Sequence, residues 1–150
     1  MNKIKFSEKV LISFLSQIEK FGMIETGGIL LGFIKNDTIY IEVASKPGEN
    51  AIHEEYYFKA DSDYVNMIID MEYANSDGKI KYLGEWHTHP EYIPTPSELD
   101  LISLSEITTS KGDFCIMVIL GSLNFNLTDF NNCSTHIIKY ENDDNFYRLN

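Results

Sequence analysis

Three closely spaced prolines, Pro90, Pro94 and Pro96, leave little freedom in how the middle of this chain can fold. Lys81 to His89 reads as a β-strand, and Pro90 closes it, because the ring removes a backbone donor and fixes φ. Pro94 and Pro96 keep Glu91 to Pro96 from continuing a central strand, so this segment is a restrained loop. Ser97-Glu98-Leu99-Asp100 then opens a helix to about Ser110, since a serine cap and an acid three residues later satisfy free backbone donors.

Around this strand, loop and helix the rest of the chain falls into short elements. From Ser7 onward Val10, Leu11, Phe14, Leu15, Ile18 and Phe21 recur at helical spacing, and Gly22 stands where a helix stops. Gly27 to Ile34 and Thr38 to Ser45 are β-prone runs joined by Lys35-Asn36-Asp37, a polar turn of hairpin length. Lys46 to Glu55 reads as a loop and Tyr56 to Lys59 as a strand. Asp61 or Ser62 caps a second helix with Val65, Ile68 and Ile69 on its inner face, ended by Asn75 to Gly78. Strands are expected at Phe114 to Leu120, Asn124 to Phe130 and Thr135 to Tyr140, and the acidic tail from Glu141 is expected to fray. Without repeats or linkers, residues 1–150 read as one mixed α and β domain.

Composition narrows the function. The 150 residues are 43% hydrophobic and 13% aromatic, enough for a core and unlike a disordered chain. With 12 Lys and Arg against 23 Asp and Glu, the net charge of −11 opposes the phosphate contacts on which nucleic-acid binding rests. No apolar stretch is long enough for a signal peptide or a membrane span, so a soluble, cytoplasmic protein is expected, with neither nucleic acid nor membrane as partner. Cys115, in an apolar run, and Cys133, in a polar one, suggest neither a disulfide framework nor a cysteine metal site.

The chemistry gathers at Gly84-Glu85-Trp86-His87-Thr88-His89-Pro90. Alternate strand residues share a face, so His87 and His89 can reach one ion. Asp100, in the first turn of the following helix, would complete a set of three nitrogen and oxygen ligands and leave a fourth position for water, as catalytic zinc sites do. Ser97 lies on the same side of that helix as Asp100; it reads as a cap, as a group beside the metal, or as both. Glu85 projects with the histidines and is a rival for general base or a group that orients an imidazole. Trp86 and Thr88 alternate toward the core. His53 and His136 lack the neighbours of a ligand set, and Gly27, Gly28 and Gly32 lack phosphate-loop spacing.

The string His87-x-His89-Pro90, six residues, Ser97, two residues, Asp100 resembles the JAMM motif of the JAB/MPN/Mov34 metallopeptidase family without a departure. Glu25-Thr26-Gly27-Gly28-Ile29-Leu30-Leu31-Gly32 is similar to the family's upstream element, which places a glutamate at the start of a strand. The wording from Gly84 to Glu91, with Pro94-Thr95-Pro96-Ser97, is most similar to compact bacterial JAB proteins, including the CBASS isopeptidases of anti-phage operons.

That resemblance implies an MPN domain, a mixed β-sheet flanked by helices with a cytidine-deaminase-like architecture. It implies one Zn2+ on His87, His89 and Asp100 with a bound water as nucleophile, Glu25 as the general acid and base, and Ser97 as a donor to the oxyanion. It further implies an isopeptidase that cuts the amide after the C-terminal residue of a ubiquitin-like or nucleotidyltransferase tail, reversing conjugation by an E1/E2-like partner. A peptidase that processes a sulfur-carrier or precursor protein, and a non-catalytic MPN scaffold, are the competing readings.

Overall fold

The computed structural model describes residues 3–111, 114–132, 135–141 and 146–148. In chain order the elements are β1 (Lys3–Phe6), α1 (Glu8–Phe21), β2 (Gly27–Lys35), β3 (Thr38–Ala44), β4 (Ile52–Glu54), β5 (Tyr57–Lys59) and α2 (Ser62–Asn75). There follow β6 (Lys81–His89), α3 (Glu98–Lys111), β7 (Phe114–Gly121), a 3-10 helix (Leu127–Asn132), β8 (Thr135–Glu141) and β9 (Phe146–Arg148). Among the described residues seven strands form one mixed sheet in the order β1-β3-β2-β6-β7-β8-β9, while β4 and β5 pair as a separate hairpin. The β1–β3 and β6–β7 pairs are parallel and the rest antiparallel.

Helices cover both faces. On one side, Ser7 accepts the Val10 N–H through its hydroxyl to start α1, and Gly22, at φ 61°, donates to the Ile18 carbonyl to end it. The buried stripe of α1, Val10 and Phe14, meets Leu30, Ile39, Ile41, Trp86, Ile116, Val118 and Leu120. Phe14 and Trp86 lie 4.8 Å apart between ring centroids, and burying a side chain of this size stabilises the fold by about 1.5–3 kcal/mol. On the other side, α2, capped by Asp61 on the Tyr64 N–H, sets Val65 against Ile29 and Leu31. Leu104 of α3 packs on Cys115, Met117 and Ile119. Strand β7 is therefore buried on both faces, which is why its apolar run does not alternate.

Three expectations change, and one strand was not foreseen. The strand expected at Asn124 to Phe130 is instead a turn leading into the 3-10 helix. Asn126 accepts both the N–H and the hydroxyl of Thr128, at 2.9 and 2.8 Å, and that local closure competes with extended backbone. Phe125 and Phe130 both pack against Phe14, whereas residues five apart on a strand face opposite ways. Lys3–Phe6, passed over in the sequence, is an edge strand whose alternating pattern pairs it beside β3. Ile52–Glu54 was expected in a loop and pairs with β5, and Phe146–Arg148, expected to fray, pairs with β8. Cys133 and the side chain of His136 fall outside the described residues.

Candidate metal centre and active-site cleft

The pairing of β6 with β2 builds the site. Its register sets His87 opposite Gly27 and Trp86 opposite Gly28, and alternation turns Trp86 and Thr88 toward the α1 core while His87 and His89 face the α3 side. A Cβ on Gly27 would run into the Trp86 carbonyl, so only glycine lets the start of β2 come this close to His87. Just before it, Thr26 is locked to Thr88: the Thr88 N–H donates to the Thr26 carbonyl at 2.9 Å, and the Thr26 N–H donates to the Thr88 hydroxyl at 3.0 Å. The Thr26 hydroxyl donates to Gln17 of α1 at 3.4 Å. These buried bonds fix where Glu25, the next residue back, can put its carboxylate.

Three elements then converge. The Nε2 atoms of His87 and His89 are 3.0 Å apart, and each lies 3.3 Å from an oxygen of Asp100, Oδ1 for His87 and Oδ2 for His89. Glu25, two residues ahead of β2, brings a carboxylate oxygen within 4.8 Å of a ring nitrogen of each imidazole. Glu25, His87 and His89 are buried. Ser97 and Asp100 grip each other, since the Asp100 N–H donates to the Ser97 hydroxyl at 3.0 Å and the Ser97 N–H donates to Asp100 Oδ2 at 2.9 Å. Ser97 is thus a helix cap and a neighbour of the cluster at once, and because its oxygen accepts here, its own proton stays available to donate.

Glu85 lines the same cleft, but the acid drawn in beside both imidazoles is Glu25. A group that orients an imidazole, overlooked in the sequence reading, is Glu91: its Oε1 accepts from His89 Nδ1 at 3.1 Å. An acid two residues beyond a histidine and just past Pro90 was the available signal. His53, expected not to be a ligand, stacks on Phe21 and reaches the Glu25 backbone instead.

Electrostatics divides the two acids. Burial pushes Glu25 up to about 7, with Asp100 and Glu91 adding to the rise and His89 opposing it. Burial also works against ionising Asp100, but hydrogen bonds from His87 and His89, the charge of His87 and the Ser97 N–H outweigh it and hold the carboxyl well below the usual carboxylate range. Burial would lower His89, yet Asp100, Glu25 and Glu91 raise it on balance. Cys115 is buried away from the site, and burial pushes its thiol up to about 12, so it is no nucleophile.

The donor set fits a cation. The Nε2 atoms of His87 and His89, 3.0 Å apart and each 3.3 Å from an oxygen of Asp100, make a compact set of nitrogen and oxygen donors of the kind zinc takes, the ion replacing the protons that bridge them in its absence. The cluster opens into a cleft of about 660 Å³ whose walls include Tyr56, Phe58 and Lys59 of the β4–β5 hairpin and Leu99 and Ile107 of α3.

Residues 7–141 match the family of prokaryotic homologs of the JAB domain. The chain belongs to that family. This JAB homologue is 32% identical over 111 residues to a Pseudomonas aeruginosa protein named CD-NTase/cGAS isopeptidase, covering 73% of this chain and 70% of that one. It is 30% identical over 84 residues to a Sinorhizobium fredii protein named probable metalloprotease y4qB, covering 55% and 51%. The chain thus spans between about half and seven-tenths of these relatives. The solution structure of protein DSY2949 from Desulfitobacterium hafniense superposes with a TM-score of 0.67 at 15% identity, over 97% of this chain and 88% of that one, and shares the fold. Membership of the JAB family, with such relatives, makes the chain a metallopeptidase that works with a metal ion. Among the described residues no helix is long and apolar enough to cross a membrane.

Proposed function

We propose that this JAB homologue is a zinc isopeptidase that releases a protein from the C-terminal tail of a nucleotidyltransferase signalling enzyme, reversing a conjugation of the E1/E2 kind in anti-phage defence. The observation that carries the reading is the convergence of two imidazoles, Asp100 and Glu25 at the head of one cleft. The Pseudomonas relative's name supports the substrate class. Two nitrogens and one oxygen make a set that suits zinc and leaves a coordination position open.

The acid–base contrast supports the division of roles. Asp100, held ionised, is suited to be a permanent anionic ligand with His87 and His89. Glu25, whose carboxyl burial pushes up to about 7 in the metal-free site, holds a proton more readily than an exposed acid and is suited to trade one. Bound zinc would supply Lewis acidity, polarising a substrate carbonyl and making water a proton donor near neutral pH. Glu25 takes that proton on a carboxylate oxygen and hands it to the amine that leaves. Ser97 donates its hydroxyl proton to the oxygen on which negative charge grows, and Glu91 keeps His89 in one tautomer. The aromatic hairpin and α3 form walls between which an extended tail can lie.

The test uses zinc-loaded protein and conjugates built on a nucleotidyltransferase tail or on a sulfur-carrier tail. Cleavage of the first at its isopeptide bond is expected. Glu25→Ala should abolish it with zinc retained, while His87→Ala and Asp100→Ala should lose both. Turnover of the sulfur-carrier conjugate alone would reject the substrate class, and full activity in Glu25→Ala would reject the assigned base.

A further inference from the structure

Glu25 stands two residues ahead of β2, so the ladder with β6 does not reach its backbone. A buried N–H and carbonyl need partners, and the β4–β5 hairpin supplies both. The Glu25 N–H donates to the Glu54 carbonyl at 3.0 Å, and the Glu25 carbonyl lies 3.1 Å from Nδ1 of His53. A carbonyl only accepts, so His53 must carry its proton on Nδ1. The ring is itself held in place, stacked on Phe21 of α1 at 4.0 Å and 14° and tilted against Phe58 at 5.4 Å.

The same hairpin lines the cleft through Tyr56, Tyr57, Phe58 and Lys59, and Phe58, directly opposite His53 across the two strands, shares its face. Phe58 also packs over Gly27, so close that a Cβ there would meet its ring at 2.8 Å. The strands that wall the substrate cleft therefore also clamp the segment carrying the general base.

We propose that His53 is a positioning residue: by donating from Nδ1 to the Glu25 carbonyl it ties the cleft-lining hairpin to the segment that aims the Glu25 carboxylate. The proposal rests on Glu25 being the base of the isopeptidase reading above. A packing role alone would need only a flat ring against Phe21. The placed nitrogen is what packing leaves over, and small displacements of a catalytic group cost much rate, about 10²-fold for 1 Å.

Two substitutions separate the nitrogen from the ring. His53→Phe keeps the stack and loses the donor, whereas His53→Asn keeps a donor near the Nδ1 position and loses the stack. In the zinc-loaded protein His53→Phe should retain metal stoichiometry and lower kcat by about ten- to hundredfold with KM within about twofold. His53→Asn should recover most of that loss. Independently of turnover, hydrogen exchange at the Glu25 amide should quicken by about tenfold in His53→Phe, the effect of losing roughly one hydrogen bond, with β7 amides unchanged. Unaltered Glu25 protection and kcat in His53→Phe would overturn the proposal. So would a His53→Asn variant as slow as His53→Phe with a matching fall in melting temperature. Absence of isopeptidase turnover in the parent protein would reject the function, while the exchange measurement would still judge the His53 tether.

Discussion

At the residue scale, Glu25 and Asp100 lie beside the same imidazoles yet behave as different acids. Asp100 meets both Nε2 atoms and the Ser97 N–H, so its charge is matched; Glu25 is buried with less to match it. Its carboxyl rises from the ordinary 4.5 to about 7, and the sign of the consequence follows. Below about 4.5 the group is protonated in both folded and unfolded chains and costs nothing; between about 4.5 and 7 the unfolded chain ionises while the fold keeps the proton, so stability falls, and above about 7, with both ionised, the full loss persists. In metal-free protein Glu25→Gln should be more stable than the parent by about 1–3 kcal/mol at pH 8, shrinking to zero near pH 4, as read by urea melts. An equal gain at both pH values would contradict a buried, raised carboxyl. Glu91 acts through His89 Nδ1, so Glu91→Ala should weaken metal binding by about 10–100-fold in a chelator competition, and unchanged affinity would remove it from that role.

At the element scale, the segment from β6 through the proline loop to the first turn of α3 carries three of the converging side chains. Its helix start does two tasks with one pair of bonds: Ser97 caps α3, and the returning Asp100 carboxylate is held toward the histidines. Ser97→Ala should cost about 1 kcal/mol in thermal unfolding from the lost cap. It should also lower metal affinity, because the Asp100 N–H loses its acceptor and the turn loosens. A variant that melts early but binds metal as before would show that cap and site are separable. This unit was legible in the sequence because each part follows from local chemistry, a strand period, proline geometry and a cap. The hairpin of β4 and β5 was only half legible, since Ile52–Glu54 is a short strand whose pairing partner alone reveals it.

At the scale of the whole molecule, the sheet separates two environments. One face, under α1, is filled with Phe14, Trp86 and their neighbours; the other holds the polar cluster between α2 and α3. The core does not depend on the cluster, so metal removal should leave the chain folded. Zinc at about a hundredfold over its Kd should nevertheless raise the melting temperature by about 5–10 °C, and His87→Ala should abolish that rise. Unfolding of the chain on chelation would mean that the metal is structural.

The sequence by itself determined the elements with strong local signals: the capped helices, the buried strand β7, and the spacing of His87, His89, Ser97 and Asp100. Strand alternation alone was enough to send Trp86 and Thr88 to the core and the histidines to the opposite face. Strand geometry left Glu85 open beside Glu25, to which the family resemblance already pointed; the tertiary structure brings Glu25 beside the histidines because Thr26 locks to Thr88 and Gly27 lets two strands close up. Only tertiary contacts decide for His53, whose partner is distant along the chain, and for the 3-10 helix at Leu127–Asn132, which packs against Phe14, whereas Glu91 meets His89 two residues away and was open to a local reading. Periodicity reports which way a side chain points; which side chains meet depends on contacts between segments that no local pattern encodes.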